Sequence, residues 1–363
     1  GSQWEPATMM YPQLSMPVQM TCLTSLTPNG EPTEVLYAAC EDSRSYYKAF
    51  QYVSSRDDVH GPGLQAAFVH IPEGPGTAAR YTIPYETILS PLSGGWFDAV
   101  EHYRAWAVGQ PWCARGPLVS RTDQPKWVRE TPLWLFVSGI NDPQVQSLSD
   151  CADLLDVPIG AHLYDWHSNP FDCRMPEYFP PRRGEDVFPQ DIATWRPHGV
   201  HTVPYIQGVL WYMLTESWRT EGAEPFATRG QDGTISQWTS NPGTPHEGHC
   251  AEMCMTTDYW HGKLEGYVRQ LQAYGVDGVY LDSVGCGAWP CYAEGHGHPP
   301  GRGGTWWADG VRRLMERLRD VPGPDGRPMV YTTEGFNEAS LDGFDAFLPH
   351  IHHPRPDEGC VYD

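Results

Sequence analysis

Apolar and polar residues alternate along short stretches of residues 1–95, and clusters of glycine and proline separate these stretches. An alternation with period two is typical of β-strands that bury one face. The clearest stretches are residues 34–37, 46–53, 65–71 and 80–88. This pattern predicts an antiparallel β-sandwich over residues 1–95. In residues 96–128 apolar positions recur at helical spacing, which predicts a linker helix before the next unit.

From residue 129 to residue 363 the pattern changes to apolar runs that alternate with amphipathic segments. The runs are short and bounded by turn residues, as expected for buried parallel strands. They cover residues 133–137, 159–164, 201–206, 279–281, 329–332 and 346–348. We predict an α/β fold, a (β/α)8 TIM barrel rather than a doubly wound sheet, because no glycine-rich nucleotide loop follows any strand.

The predicted barrel lacks two strands, because a barrel of this class needs eight and the pattern reveals six. Residues 129–363 are therefore expected to form an incomplete catalytic TIM barrel. A longer parent chain, self-association with another copy, or a segment that the pattern does not reveal would complete the sheet.

The charge balance restricts the kind of partner. The net charge is −21 and the isoelectric point is near 5.0. Nucleic acids and anionic membrane surfaces bind clustered lysine and arginine, so neither is an expected partner, and a neutral or cationic ligand fits better. No apolar run approaches the roughly 18 residues of a membrane helix. The opening Gly1-Ser2 is typical of a cloning remnant, so the lack of a signal peptide is uninformative.

Ten cysteines are many for a reducing cytosol, which favours a secreted or periplasmic location, although the sequence leaves the compartment open. Two pairs are close in sequence, Cys250 with Cys254 and Cys286 with Cys291. Two histidines, at 246 and 249, lie shortly before the first pair, but a CxxxC spacing without a second knuckle disfavours zinc. Disulfides or buried thiols are the expected states, in loops beside the mouth of the barrel.

The stretch "GVDGVYLDSVG" places Asp282 directly after a buried strand. A carboxylate at such a position is often only a turn or helix cap. The next strand, however, ends in Glu334 within "MVYTTEGFNE". The carboxyl ends of barrel strands form one mouth, so these two side chains are expected to meet there. A carboxylate pair from adjacent strands is what glycoside hydrolysis requires.

Other polar and aromatic residues follow the same strand ends. Aromatic rings stack on sugar faces, whereas histidine, arginine and carboxylates bind hydroxyl groups. Each also has a structural alternative, since most tryptophans pack in cores and most histidines lie at surfaces. The predicted substrate-binding residues are Asp165, Trp166, His167, Tyr205, Trp211, His296, His298, Arg302 and Trp306.

Four segments carry a resemblance to a known group: "GVDGVYLDSVG", "CYAEGHGHPPGRGG", "VYTTEGFNEASLDGFDAFL" and "GGWFDAVEHYRAWA". They resemble bacterial glycoside-hydrolase-like proteins that carry a domain of unknown function. The barrels of that group are similar to those of the α-amylase, α-galactosidase and endo-α-N-acetylgalactosaminidase superclass. The resemblance extends from about residue 90 onward.

The resemblance implies roles for individual residues. In that superclass the nucleophile is an Asp that ends strand four, which corresponds to Asp282. In the α-amylase-like and endo-α-N-acetylgalactosaminidase-like branches the acid/base is a Glu that ends strand five, which corresponds to Glu334. The α-galactosidase branch takes its acid/base from strand six, where Asp345 or His350 would be nearest.

The sequence therefore predicts a retaining glycoside hydrolase that cleaves α-glycosidic bonds in an oligo- or polysaccharide through a covalent glycosyl-enzyme, with no cofactor and no metal. One alternative is a carbohydrate-binding protein without catalytic activity. A less favoured one is a metal-dependent hydrolase that uses His296, His298 and Asp165. The sugar, its linkage and the oligomeric state are not encoded in any motif.

Overall fold

The computed structural model describes residues 7–57, 61–73, 80–138, 140–170, 172–301 and 303–348. Its N-terminal part consists of two three-stranded antiparallel sheets, with strand orders 1-4-5 and 2-3-6. The strands are β1 (Ala7–Tyr11), β2 (Met20–Leu26), β3 (Pro32–Glu41), β4 (Lys48–Asp57), β5 (Gly61–His70) and β6 (Glu86–Ser93). Antiparallel sheets thus form where alternating polarity predicts strands.

Helix α1 (Trp96–Ala107) covers the sheet of β2, β3 and β6. Its buried residues, Ala99 and Tyr103, pack against Val35 and Tyr37 of β3. The short helix α2 (Lys126–Glu130) then leads into the α/β part. The predicted linker, residues 96–128, therefore contains one long helix that belongs to the N-terminal core.

Six parallel strands form the α/β part, in the spatial order of the sequence. Among the described residues they make a curled half-barrel with open edges rather than a closed TIM barrel. The strands are β7 (Leu133–Val137), β8 (Ile159–Leu163), β9 (Val200–Gln207), β13 (Gly278–Asp282), β14 (Val330–Glu334) and β15 (Ala346–Leu348).

Helices connect most of these strands and bury their apolar faces against the sheet. They are α3 (Asp142–Leu155), α4 (Val187–Trp195), α6 (Asp258–Ala273) and α7 (Trp306–Arg319). A long insertion lies between β9 and α6. It contains α5 (Glu216–Thr220) and a three-stranded antiparallel sheet of β10 (Leu210–Tyr212), β11 (Gln237–Ser240) and β12 (Gly248–Glu252).

Aromatic side chains fill the inner face of the half-barrel. His162 stacks on Tyr280 with ring centroids 4.9 Å apart, and its Nε2 lies 3.1 Å from the hydroxyl oxygen of Thr332. Burial lowers the pKa of His162 to about 4, so the ring is neutral at physiological pH. Tyr164 stacks on Tyr205 above this layer. The inner face is thus a packed core beneath the strand ends. None of the described helices is long and apolar enough to cross a membrane.

Candidate active site

The register of the sheet brings Asp282 and Glu334 together. Both are the last residues of their strands, β13 and β14, and these strands are neighbours. Leu281 pairs with Thr333, so the next residue on each strand lies alongside the other. On the opposite side, Asp282 pairs with Gln207 at the end of β9.

Ser283 connects the two carboxylates. Its hydroxyl oxygen lies 3.2 Å from Asp282 Oδ2 and 3.2 Å from Glu334 Oε2. The backbone of Ser283 has φ 64°, in the left-handed region, which turns the chain sharply at the end of β13. The thiol of Cys286 donates a further hydrogen bond to Glu334 Oε2 at 3.3 Å. The nearest oxygens of the pair are consequently no more than twice 3.2 Å apart.

Asp282 is a partly buried carboxyl group among other acids. Burial, then the charges of Glu334 and Asp172, raise the pKa of Asp282 well above its usual range. Hydrogen bonds from Tyr280 and Ser283 oppose this shift, and Gln207 Nε2 donates to Asp282 Oδ2 at 2.8 Å.

A third carboxylate, Asp172, follows β8 in the loop that sequence reasoning assigned to Asp165, Trp166 and His167. Its Oδ1 accepts a hydrogen bond of 2.7 Å from the hydroxyl of Tyr205. Burial, and to a smaller extent the charge of Glu334, raises the pKa of Asp172.

These groups line a cavity of about 300 Å³ at the carboxyl ends of the strands. Four acids face it, and Glu252 of β12 is the fourth, with a pKa that burial raises to about 7. Trp238 and Trp289 are 44% and 40% exposed at its rim. The lining consists of Leu14, Asp172, Gln207, Val209, Leu210, Trp238, Glu252, Asp282, Ser283, Cys286, Trp289 and Glu334. The N-terminal unit contributes Leu14 but none of these carboxylates.

Trp166, Trp211 and Tyr205, which were predicted to contact the sugar, are buried in the core and do not line the cavity. Trp166 and Trp211 are both 0% exposed. The Trp166 indole donates to the Tyr205 carbonyl, and that of Trp211 donates to Thr215. Tyr205 is also buried and acts on the cavity through its hydrogen bond to Asp172. Local apolar surroundings explain this placement, since large aromatic rings in α/β sheets usually pack in the core.

Asp165 and His167 are not among the residues that line the cavity. Asp165 Oδ2 accepts from the hydroxyl of Ser138 at 2.6 Å. His167 is 1% exposed and contacts the ring of Tyr178, and burial lowers its pKa to about 4.

His296 and His298 lie together in a buried cluster with Cys254 and Cys291, which does not include Asp165. Trp306 stacks on His298 with ring centroids 4.8 Å apart. Arg302 lies outside the described residues, and so does His350. All nine cysteines among the described residues are free thiols.

Asp345 cannot serve the cavity, because it precedes β15 and therefore lies at the opposite end of the sheet from Glu334. Its Oδ2 accepts from Arg319 at 2.8 Å and from the backbone amide of Tyr331. Tyr331 itself faces α7, where its hydroxyl donates to the carbonyl of Leu318. Tyr331 is not among the residues that line the cavity with Glu334.

Sequence reasoning missed several groups that line the cavity: Asp172, Trp238, Glu252 and Trp289. Asp172 could have been predicted, because it lies in the loop after β8, and the loops that follow barrel strands usually carry the active-site residues. The other three belong to the insertion and to the loop after β13, whose paths no periodic pattern predicts.

A protein-family model, curated proteins and solved structures are similar to this chain. Residues 81–355 match the family model described as "Domain of unknown function (DUF6259)". The chain belongs to the DUF6259 family. This agrees with the resemblance noted from its motifs to glycoside-hydrolase-like proteins that carry a domain of unknown function.

Two curated relatives of this DUF6259 chain have names that begin "Putative glycoside hydrolase". The protein of Bacteroides thetaiotaomicron is 31% identical over 277 residues, which cover 74% of this chain and 39% of the relative. That of Monosiga brevicollis is 28% identical over 345 residues, which cover 86% of this chain and 28% of the relative. The chain thus spans well under half the length of either relative.

Solved structures share the fold of this DUF6259 chain. The α-N-acetylgalactosaminidase NagBb from Bifidobacterium bifidum superposes with a TM-score of 0.65 at 14% identity, over 90% of this chain and 54% of its own. The α-galactosidase TtGalA from Thermus thermophilus gives a TM-score of 0.56 at 13% identity, over 91% of this chain and 58% of its own. At such low identity the likeness concerns the fold.

Proposed function

We propose that this chain carries the active site of a retaining α-glycoside hydrolase, with Asp282 as nucleophile and Glu334 as general acid/base. The observation that carries this proposal is the Ser283 hydroxyl, 3.2 Å from an oxygen of each carboxylate inside a sugar-sized cavity. The names of the curated relatives support hydrolysis of glycosides.

The separation of the carboxylates supports the retaining mechanism. Retaining glycosidases hold their two carboxyl groups about 5–5.5 Å apart, whereas inverting enzymes leave about 6.5–9.5 Å for a water molecule. The Ser283 bridge keeps the nearest oxygens of Asp282 and Glu334 within twice 3.2 Å of each other, so the two carboxyl groups are close enough to act on one anomeric carbon. Direct attack on the anomeric carbon by Asp282 therefore fits the available space.

The protonation of the two carboxyl groups also suits this chemistry. Burial, then the charges of Glu334 and Asp172, raise the pKa of Asp282, so Asp282 retains a proton more readily than an isolated carboxyl group does. For catalysis that proton must reside on Glu334, which then protonates the leaving oxygen while the Asp282 anion forms the glycosyl–enzyme bond. The hydrogen bonds that Asp282 accepts from Gln207 and Tyr280 stabilise its anion during this step.

In the second step, water hydrolyses the glycosyl-enzyme and restores the free carboxyl groups. Glu334, now a carboxylate, removes a proton from a water molecule, whose oxygen bonds to the anomeric carbon while the bond to Asp282 breaks. Asp282 leaves as a carboxylate and Glu334 is again protonated. Two displacements at one carbon return the original α configuration.

The remaining lining suits a neutral sugar. Trp238 and Trp289 offer exposed ring faces for stacking, and Asp172, Gln207 and Glu252 offer polar groups to hydroxyls. An anionic sugar would meet four carboxylates, so neutral α-galactosides and α-N-acetylgalactosaminides are the first substrates to test. The solved structures that share the fold are named for these two activities.

We further propose that the half-barrel represents the first six strands of a (β/α)8 barrel. Parallel order from β7 to β15, with a carboxylate pair at the ends of strands four and five, supports this. Two strands from outside the described residues, or from another copy, would pair with the open edges. Size-exclusion chromatography with light scattering, followed by a crystal structure of the assembled species, would test it.

The catalytic roles can be tested with aryl α-glycosides and natural α-linked oligosaccharides. Asp282→Ala should abolish formation of the glycosyl-enzyme with every leaving group. Glu334→Ala should lose about 10²–10⁴-fold in rate on natural linkages but still react with activated aryl glycosides, because these need no acid. Added azide should accelerate turnover of this variant by replacing the base-activated water. Asp153→Asn changes an exposed carboxylate on α3 and serves as the matched control.

Two results would contradict the assignment. Near-native turnover of natural linkages by Glu334→Ala would place the acid elsewhere, with His350 as the next candidate. Sugar binding by calorimetry without release of product on the whole panel would instead support a carbohydrate-binding protein without catalytic activity.

A further inference from the structure

Apart from the proposed catalytic cavity, two cysteines and two histidines direct their side chains toward one point. Cys254 comes shortly after β12, whereas Cys291, His296 and His298 lie in the loop after β13. Their sulfur and ring nitrogen atoms all lie within 4.8 Å of one another, and none of the four residues is more than 9% exposed. The four ligand atoms thus enclose a small volume sealed from solvent.

The distances within this cluster are those of a tetrahedral metal site. Cys254 Sγ lies 3.4 Å from His298 Nε2, and Cys291 Sγ lies 3.5 Å from His296 Nδ1. With zinc–sulfur bonds near 2.3 Å and zinc–nitrogen bonds near 2.0–2.1 Å, a tetrahedron has sulfur–nitrogen edges of roughly 3.5 Å. The spacing of the donors therefore needs little adjustment to hold an ion.

Both imidazole rings are oriented for metal binding by their outer nitrogens. His296 Nε2 lies 2.7 Å from the carbonyl oxygen of Pro225, and His298 Nδ1 lies 2.8 Å from that of Pro299. A carbonyl oxygen only accepts, so each outer nitrogen carries the proton and the inner nitrogen presents its lone pair to the cluster. Metal-binding histidines characteristically make this backbone contact, which fixes the tautomer and the ring plane.

We propose that Cys254, Cys291, His296 and His298 bind one structural Zn²⁺ ion. Two thiolates and two neutral imidazoles balance the charge of the ion, which permits burial, and sulfur with nitrogen donors favours zinc over calcium or magnesium. Four protein ligands close the coordination shell, so the ion has no position for a reacting water molecule. This inference does not depend on the proposed hydrolase activity.

The proposed ion would tie two separate loops to each other at the rim of the cavity. Glu252 lies two residues before Cys254, and Trp289 lies two residues before Cys291, and both line the cavity. The ligands come from segments 37 residues apart with β13 between them, which explains why local spacing did not reveal them. Zinc would thereby hold the insertion and the loop after β13 at a fixed distance.

The test is the metal content of tag-free, full-length protein purified without chelator, measured by inductively coupled plasma mass spectrometry. We expect one zinc per chain in the unmodified protein and loss of that zinc in Cys254→Ser and Cys291→Ser. Cys250→Ser is the matched control: Cys250 is equally buried and four residues away, but its sulfur faces Ser240. It should retain the full complement of zinc.

A second measurement keeps the test decisive if a variant fails to fold. Replacement of zinc by Co²⁺ in the unmodified protein should give the intense visible absorption of tetrahedral cobalt together with thiolate charge-transfer bands. Absence of metal in the protein as purified, combined with no cobalt spectrum, would overturn the proposal. So would retention of zinc in folded Cys254→Ser, or a Cys254–Cys291 disulfide in unreduced, alkylated protein.

Discussion

Ser283 holds the proposed catalytic pair in place through an unusual backbone conformation. A left-handed φ at a residue other than glycine costs about 1–3 kcal/mol and persists where the surroundings enforce it. Two residues later, a Cβ on Gly285 would lie 2.4 Å from the carbonyl oxygen of Glu334, so only glycine lets this turn approach β14. The glycine at the end of "GVDGVYLDSVG" thus allows the turn that places Ser283 between the two carboxylates.

Replacement of Asp172 by Asn tests the electrostatics of the pair. Asp172 helps to raise the pKa of Asp282, so its removal should lower that pKa. Because Asp282 must be ionised to react, the acidic limb of kcat/KM should move to lower pH, whereas Asn can still accept the hydrogen bond from Tyr205. Activated aryl α-glycosides provide the measurement, since they do not depend on the acid.

Asp153→Asn, on an exposed surface, should leave the same limb unchanged. An unchanged limb in Asp172→Asn, or a shift to higher pH, would show that Asp172 does not repel the ionised pair.

The N-terminal unit is joined to the half-barrel by a buried carboxylate, Glu338, in the short turn that follows β14. Glu338 accepts hydrogen bonds from the Tyr103 hydroxyl of α1, at 2.8 Å, and from the backbone and side chain of Gln19. Burial raises the pKa of Glu338 to about 7. Its stabilising contribution is therefore complete below the unfolded pKa, near 4.3, and decreases as pH rises through about 7.

Tyr103→Phe removes one donor from this buried acid without creating a large cavity. Hydrogen bonds to charged groups contribute about 1.5–3 kcal/mol, so the free energy of unfolding should fall by a value in that range when Glu338 is ionised. Denaturant titration at pH 8, where Glu338 is ionised, measures the change. Arg104→Ala, in the same helix but exposed, should cost less than about 0.5 kcal/mol. An equally small effect for Tyr103→Phe would show that the hydrogen bond between Tyr103 and Glu338 does not stabilise the contact between the two units.

The secondary structure was largely predictable, because a helix or strand that buries one or both faces has a recognisable pattern of apolar residues in its sequence. The apolar run at 279–281 lies within β13, and that at 133–137 coincides with β7. Adjacent strand order then placed Asp282 beside Glu334 without any coordinates. The wall of the cavity was not predictable in this way. Trp238 lies on β11 of the insertion and Trp289 on the loop after β13, and the course of both segments depends on tertiary packing. Trp166 packs in the core and does not line the cavity.

At the scale of the whole molecule, the acidic character of the sequence extends to the lining of the proposed catalytic cavity. The chain has a net charge of −21, and four of its carboxylates line one cavity, two of them with pKa values raised by burial and by neighbouring acids. Such a field repels anions and attracts cations over the length that salt screening allows, about 8 Å at physiological ionic strength.

Four carboxylates in one cavity have a pharmacological consequence. A piperidine sugar mimic, protonated near neutral pH, should bind far more tightly than the neutral sugar of the same shape, and less tightly as salt increases. Its positive charge should also expel the proton that Asp282 retains through its raised pKa, because the cation stabilises the Asp282 carboxylate as an anion. Titration calorimetry in buffers of different ionisation enthalpy should record this release, and equal affinity for the amine and the neutral sugar would contradict it. Basic inhibitors, rather than acidic ones, would then be the selective ligands for this site.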